Sequence, residues 1–333
     1  MLEQVAAAGT VGEAGAFMNS LAVVLQQPEQ LTLSQLELTV PGDEDVVVEV
    51  AFSGISSGTE KLLWTGRMPS FPGMGYPLVP GYESVGCVVQ AGSQSGFHEG
   101  DQVFVPGANC FGPVRGLFGG AASRLVVPGR RLVQVEPALG EKAVLLALAA
   151  TAYHAVSGGG LREHIEPPEL IVGHGVLGRL LARLNVAAGN PTTVWELNDR
   201  RARGAQGYTV IRPEDDTRRD YRAIYDVSGD SNILDSLVAR LKPGGEIVLA
   251  GFYSDRLSFA FAPAFMREAQ IRAAAEWKRP DLLAVKALIE DGTLSLDGLI
   301  THHARAEAAD TAYRTAFDDA DCLKMVLDWR SVQ

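Results

Sequence analysis

The stretch Leu170-Ile171-Val172-Gly173-His174-Gly175-Val176-Leu177-Gly178 decides the fold. Three apolar residues run into a glycine-rich turn, and the turn opens into the helical pattern LGRLLARLNVAA. Alone, G-x-G-x-x-G is a weak signal. Here it follows a strand, starts a helix, and is trailed about 20 residues later by an acid, Glu196, ending the next apolar run; that context marks a dinucleotide site. Gly173 permits the tight turn, Gly175 lets the backbone approach a pyrophosphate, and Gly178 lets helix and strand pack closely. The helix start, at Val176 and Leu177, presents N–H groups to the anion. Glu196 is placed to accept hydrogen bonds from adenosine ribose hydroxyls, which favours NAD. Arg200 and Arg201 are candidates for a 2′-phosphate and keep NADP open.

Beyond this unit, AIYDVSGD, a helix around Ile233 to Arg240, and GEIVLAGFY continue the strand–helix alternation. That pattern predicts a doubly wound parallel sheet with crossover helices. Asp226-Val227-Ser228 and Gly251-Phe252-Tyr253 end two of its strands on the edge where such sheets bind ligands, so Ser228, Gly251, Phe252 and Tyr253 join the cofactor candidates. Upstream, from Leu21 to about Val135, short β-type runs punctuated by Gly and Pro suit a small barrel or curled sheet. An apolar helix, EKAVLLALAATAYHAV, links the two parts. From about Asp291 the chain is amphipathic and too short for a domain of its own, so it is expected to return to the first domain. The expected division is an extension over residues 1–17, a barrel domain over 18–150, a dinucleotide domain over 151–290 and the return over 291–333.

The chain has 333 residues, more than one core usually serves, in keeping with two domains. A net charge of −11 and the absence of basic stripes with interleaved aromatics argue against a nucleic-acid partner. Cys87, Cys110 and Cys322 are odd in number and far apart, which excludes a disulfide framework and a four-cysteine zinc site. A reducing, cytoplasmic setting is the expectation. No apolar run is long enough for a membrane span. The first residues lack the basic start and apolar centre of a signal peptide, and Met18 reads as closer to the start of the fold.

A barrel, a Rossmann domain and a return to the barrel is the plan of the medium-chain dehydrogenases/reductases. SGISSGTE, GYESVG, TAYHAV and GHGVLG are similar to that superfamily's local motifs. The longer phrases GTEKLLWTGRMPSFPGMGYPLVPGYESVG, LFGGAASRLVVP, LAGFY and AAEW resemble the 3-hydroxyethyl bacteriochlorophyllide a dehydrogenases of bacteriochlorophyll synthesis. The resemblance implies α/β plus β architecture, a GroES-like catalytic barrel with a Rossmann domain. It also implies NAD-linked oxidation of a 1-hydroxyethyl substituent of a chlorin to an acetyl group. Two other readings are a quinone or enoyl reductase of the same superfamily and a non-catalytic nucleotide- or pigment-binding protein. A homodimer is common in the superfamily.

Many alcohol-oxidising members hold a catalytic zinc. Carried over, its ligand positions fall on Ser57, Tyr82 and Ala147. Neutral Ser and Tyr are poor zinc ligands and Ala is none, so no metal is expected. Another group must then take the alcohol proton. Tyr82 is the leading candidate, Thr59 occupies the position of the relatives' relay hydroxyl, and Leu62 replaces the histidine that ends that relay. A phenol's reference pKa near 10 calls for a neighbouring positive charge, for which Lys61 is the candidate; the adjacent Glu83 works against it unless it orients another group. His154 and His174 are the other titratable groups. A lone histidine on an apolar helix is more often packing than catalysis, whereas His174 is expected to face the cofactor edge. Thr151 matches a position near the nicotinamide. For the pigment, the Met-, aromatic- and Pro-rich segment from Trp64 to Pro77 offers an adaptable apolar surface. Trp64, Tyr76 and Phe111 are its candidate platforms, and Arg67 and Arg115 are candidate partners for a propionate.

Overall fold

The computed structural model describes residues 18–160 and 164–332; the expected extension, residues 1–17, lies outside them. Six strands form one parallel sheet in the spatial order Thr209–Ile211, Thr193–Trp195, Leu170–Val172, Tyr221–Asp226, Leu241–Leu249, Gln270–Ala273. The order reverses direction between Leu170–Val172 and Tyr221–Asp226, which is the switch point of a doubly wound sheet. All three residues of Leu170–Val172 are buried, because the strand is covered on both faces; that is why it reads as an unbroken apolar run. In the register, Val172 lies beside Trp195 and Asp226, and Asp226 beside Leu249. Gly173, Glu196, Val227 and Ala250 therefore leave the sheet side by side along one edge.

The other part of the chain is largely antiparallel. The long strand Asp45–Ile55 pairs with Ser84–Ala91, Arg124–Pro128 and Met325–Asp328 in a seven-stranded sheet. A four-stranded sheet containing Asn19–Gln27 folds against it, joined by a bridge between Ala22 and Ala122. The chain thus combines a GroES-like β domain with a Rossmann sheet. The C-terminal segment adds His302–Arg305 and Met325–Asp328 to the seven-stranded sheet, and helix Ala309–Asp318 buries Tyr313 and Phe317 in the same core. Trp329, fully buried, donates from Nε1 to Ser53 Oγ at 2.8 Å.

The 150/151 division falls inside helix Leu146–Ser157. Its alanines belong to a core that takes Val85 and Phe104 from the barrel and Ile171, Leu180 and Tyr225 from the Rossmann side. Leu145, Leu146, Leu180 and Leu181 are all fully buried in that seam. At roughly 1.5–3 kcal/mol each, their burial binds the two parts of the chain together. Among the described residues, no helix is long and apolar enough to cross a membrane.

Candidate active site

At the Rossmann edge, Gly173 has φ +103°, a conformation that disfavours any side chain. A Cβ on Gly178 would collide with the Gly173 carbonyl oxygen, whereas a Cβ on Gly175 would meet nothing within 4 Å. Gly178 is thus required by the protein's own packing, and Gly175 leaves its backbone facing open space, as a diphosphate cradle demands. Helix Val176–Ala187 has no side-chain cap at Gly175, so its first N–H groups are available to an anion. Glu196 is clamped beside the turn: Oε2 accepts from the His174 N–H at 3.1 Å and Oε1 from the Asn198 N–H at 2.8 Å. Carboxylate oxygens have lone pairs left after these two bonds. The residues present fit a dinucleotide.

His174 differs from expectation. Its ring is fully buried and points away from the edge, between Arg201 and Tyr208. Nδ1 lies 2.6 Å from the Arg201 carbonyl, which can only accept, so Nδ1 carries the proton and Nε2 accepts from Tyr208 Oη at 2.8 Å. Burial, then the nearby Arg179, pushes its pKa down to about 4, so the ring is a neutral strut under the turn. Arg200 and Arg201 are also engaged elsewhere: Arg200 pairs with Asp321 at 2.9 Å, and Arg201 Nε donates to the Ala320 carbonyl at 3.1 Å. On the same edge, Ser228 and Phe252 are exposed, and Tyr253 donates to the buried Asp226 carboxylate at 2.6 Å. Burial raises the Asp226 pKa against the pull of its bonds from Tyr253 and Ser228.

In the barrel domain, Tyr82 is half-buried and its hydroxyl donates to Ser56 Oγ at 2.7 Å, with Phe118 edge-on to its ring at 5.6 Å. Burial, then the adjacent Glu83 carboxylate, pushes the phenol well above the ordinary tyrosine value, against the Ser56 and Thr59 hydroxyls. Ser57, expected at this place, is exposed, and the buried Ser56 makes the contact. Glu83, the residue after Tyr82, faces inward. It is fully buried and takes Lys324 Nζ at 2.5 Å, while Lys324 also donates to the Ile55 carbonyl at 3.2 Å. Beside this pair lies a second buried acid. Glu60 accepts from the Ser56 N–H at 3.0 Å and from Tyr313 Oη at 2.7 Å. Its pKa is pushed up to about 7, chiefly by burial.

Several expected roles are corrected. Lys61 does not activate Tyr82: its Nζ donates to the Phe317 carbonyl at 2.6 Å, at the C-terminal end of helix Ala309–Asp318, where a cation is favoured. His154 is buried against Asp281 at 2.7 Å, and Asp281 also accepts from the Lys278 N–H at the start of helix Arg279–Glu290; the pair is a structural tie. The Thr151 hydroxyl donates back to the Ala147 carbonyl at 2.9 Å. Trp64 is buried between Phe317 and the Arg314 guanidinium, and Phe111 is buried in the barrel core, so neither is a platform for a pigment. Tyr76 spends its hydroxyl on the Leu63 carbonyl. Arg115 donates to the Tyr76 carbonyl at 3.3 Å and stays exposed. Arg67 reaches from the barrel side to the Rossmann side, to Ser254 Oγ at 3.0 Å and Asp255 Oδ2 at 2.9 Å.

Sequence reasoning missed Ser56, Glu60, Lys324 and Asp255, and placed Asp226 on the ligand edge without giving its carboxylate a role. Glu60, one residue after Thr59, had a local signal in SGTE; Lys324 and Asp255 had none. The positions of a catalytic zinc do not fit the ion: Ser57 is exposed, Tyr82 is bonded to Ser56, and Ala147 is a buried methyl. Among the described residues, no three His, Cys, Asp or Glu side chains are grouped to hold a metal.

Residues 42–137 match the alcohol dehydrogenase GroES-like domain family. Over 320 residues the chain is 58% identical to the 2-desacetyl-2-hydroxyethyl bacteriochlorophyllide A dehydrogenase of Cereibacter sphaeroides, covering 94% of this chain and 99% of that one. Over 318 residues it is 58% identical to the protein of the same name from Rhodobacter capsulatus, covering 95% and 100%. Among solved structures, acetophenone reductase of Geotrichum candidum in complex with NAD has a TM-score of 0.79 at 20% identity, covering 94% of this chain and 98% of that one, a likeness of fold.

Proposed function

Because the chain belongs to the 2-desacetyl-2-hydroxyethyl bacteriochlorophyllide A dehydrogenase family, we propose that it oxidises the hydroxyethyl group of a bacteriochlorophyllide to acetyl, with NAD as acceptor and without zinc. It is an alcohol oxidoreductase. The observation that carries the zinc-free reading is the Tyr82–Ser56 pair, standing where metal-dependent relatives place a histidine ligand.

A bound nicotinamide supplies the hydride acceptor. The glycine turn Gly173–Gly178 holds the diphosphate, and Glu196 binds the adenosine ribose hydroxyls. That Arg200 and Arg201 already serve Asp321 and Ala320 supports NAD over NADP. Ser228, Gly251, Phe252 and Tyr253 flank the cofactor from the same edge. Tyr82 takes the alcohol proton in a relay: its oxygen accepts the substrate proton while its own proton passes to Ser56 Oγ, and Ser56 releases its hydroxyl proton by way of Thr59 to solvent water. Such a relay avoids a standing phenolate, which burial beside Glu83 disfavours. Thr59, half exposed, gives the relay an outlet toward solvent. Arg67, at the cleft mouth, is the partner for the pigment's propionate.

A cytoplasmic setting is supported by three free cysteines, which suit a reducing compartment. A homodimer is supported by the outer strand Gln270–Ala273, which pairs on one side in the sheet, next to exposed Phe261, Phe265 and Met266. Incubation of purified protein with NAD and hydroxyethyl bacteriochlorophyllide tests the central reading. The pigment's red absorbance shift should track NADH formation, and metal analysis should find substoichiometric zinc. Pigment left unchanged, or one zinc per chain lost together with activity on chelation, would overturn it.

A further inference from the structure

Arg67 and Asp255 belong to different domains and meet over the mouth of the cleft. Arg67 follows helix Thr59–Trp64 in the barrel domain, and Asp255 lies just beyond Gly251-Phe252-Tyr253 on the cofactor edge of the Rossmann sheet. The contact uses one nitrogen of the guanidinium: Nη2 donates both to Ser254 Oγ at 3.0 Å and to Asp255 Oδ2 at 2.9 Å. Among the described residues Nε and Nη1 make no hydrogen bond, so the planar fork that suits a carboxylate is only partly used. Side chains of 61% and 63% exposure form this pair, unlike the buried Glu83–Lys324 pair of the same molecule. An exposed ion pair of this kind contributes little and is readily exchanged.

We propose that Asp255 is a resident decoy for the substrate's carboxylate. It occupies Arg67 while the cleft is empty and is displaced when a free propionate arrives, so it tempers the preference for free acid over ester that Arg67 alone would give. The inference rests on the pigment reading above and adds a specificity determinant on the nucleotide domain. The exchange is of one carboxylate for another at a single guanidinium, so net charge at Arg67 is conserved, whereas an ester brings no charge to replace Asp255. An ester therefore binds with the latch in place and gains nothing from Arg67.

The test is a binding titration by pigment absorbance without nucleotide, comparing a hydroxyethyl bacteriochlorophyllide free acid with its propionate methyl ester. Removing the decoy in Asp255→Asn should raise the preference for acid over ester about two- to fivefold, the range an exposed ion pair supports. Arg67→Ala should abolish the preference, and Asp255→Asn should then have no further effect on it. A preference that Asp255→Asn leaves alone or lowers overturns the decoy while leaving the pigment reading intact. Wild-type protein that binds neither acid nor ester overturns both.

Discussion

Glu60→Gln is the sharpest probe of the buried carboxylates beneath Tyr82. Glu60 is fully buried and its pKa is pushed up to about 7 from an ordinary 4.5, first by burial, against bonds from Ser56 and Tyr313. A carboxyl with a raised folded-state pKa binds more protons folded than unfolded between these two values. Its stabilising contribution is complete below about pH 4.5 and is lost as pH rises through about 7. The gap is worth on the order of 3 kcal/mol. Gln keeps an acceptor for the Ser56 N–H and cannot ionise. The difference in Tm between Glu60→Gln and wild type should therefore grow in the variant's favour from pH 5 to pH 8, by roughly 5 °C at about 2 °C per kcal/mol. Differential scanning fluorimetry of both proteins across that range reads it, and comparing differences removes any fixed offset from the fit of the amide. A difference that stays flat, or that shrinks as pH rises, refutes the account of Glu60 as a desolvated acid.

The glycine turn makes a paired prediction. Gly178→Ala forces a Cβ into the Gly173 carbonyl and should lower both stability and NAD affinity, whereas Gly175→Ala, whose Cβ meets nothing within 4 Å, should keep its Tm while losing NAD affinity, read by calorimetry. Equal loss of Tm in both would contradict the cradle. Lys324→Met leaves the Glu83 charge buried without its partner and should cost about 3–5 kcal/mol in chemical denaturation, with Glu83→Gln added to it recovering part of the loss. A cost below about 1 kcal/mol would mean that water reaches the pair. Tyr82→Phe removes the relay hydroxyl and should lower kcat by about 10²–10⁴-fold with pigment affinity retained; undiminished turnover excludes Tyr82 from proton transfer.

The parts of this protein legible in its sequence are those whose physics is local. The turn at Gly173 needs a glycine for its own φ, Gly178 is set by one carbonyl five residues back, and Leu170–Val172 is apolar because both faces are covered. That Ser57, Tyr82 and Ala147 carry a hydroxyl, a phenol and a methyl was equally visible, since residue identity needs no fold. Charge partnerships were not. Lys61 lies close to Tyr82 in the chain yet serves Phe317, while the cation that meets Glu83 is Lys324, 241 residues away. Trp64 and Phe111 read as surface aromatics until the returning C-terminal helix and the barrel wall enclosed them. The pKa values of Glu60 and His174 follow from the same closure, because desolvation is set by which distant segments pack over a group. Sequence specifies what a residue is able to do within a turn or two of backbone; the tertiary fold decides which charges lose water and which partners they find.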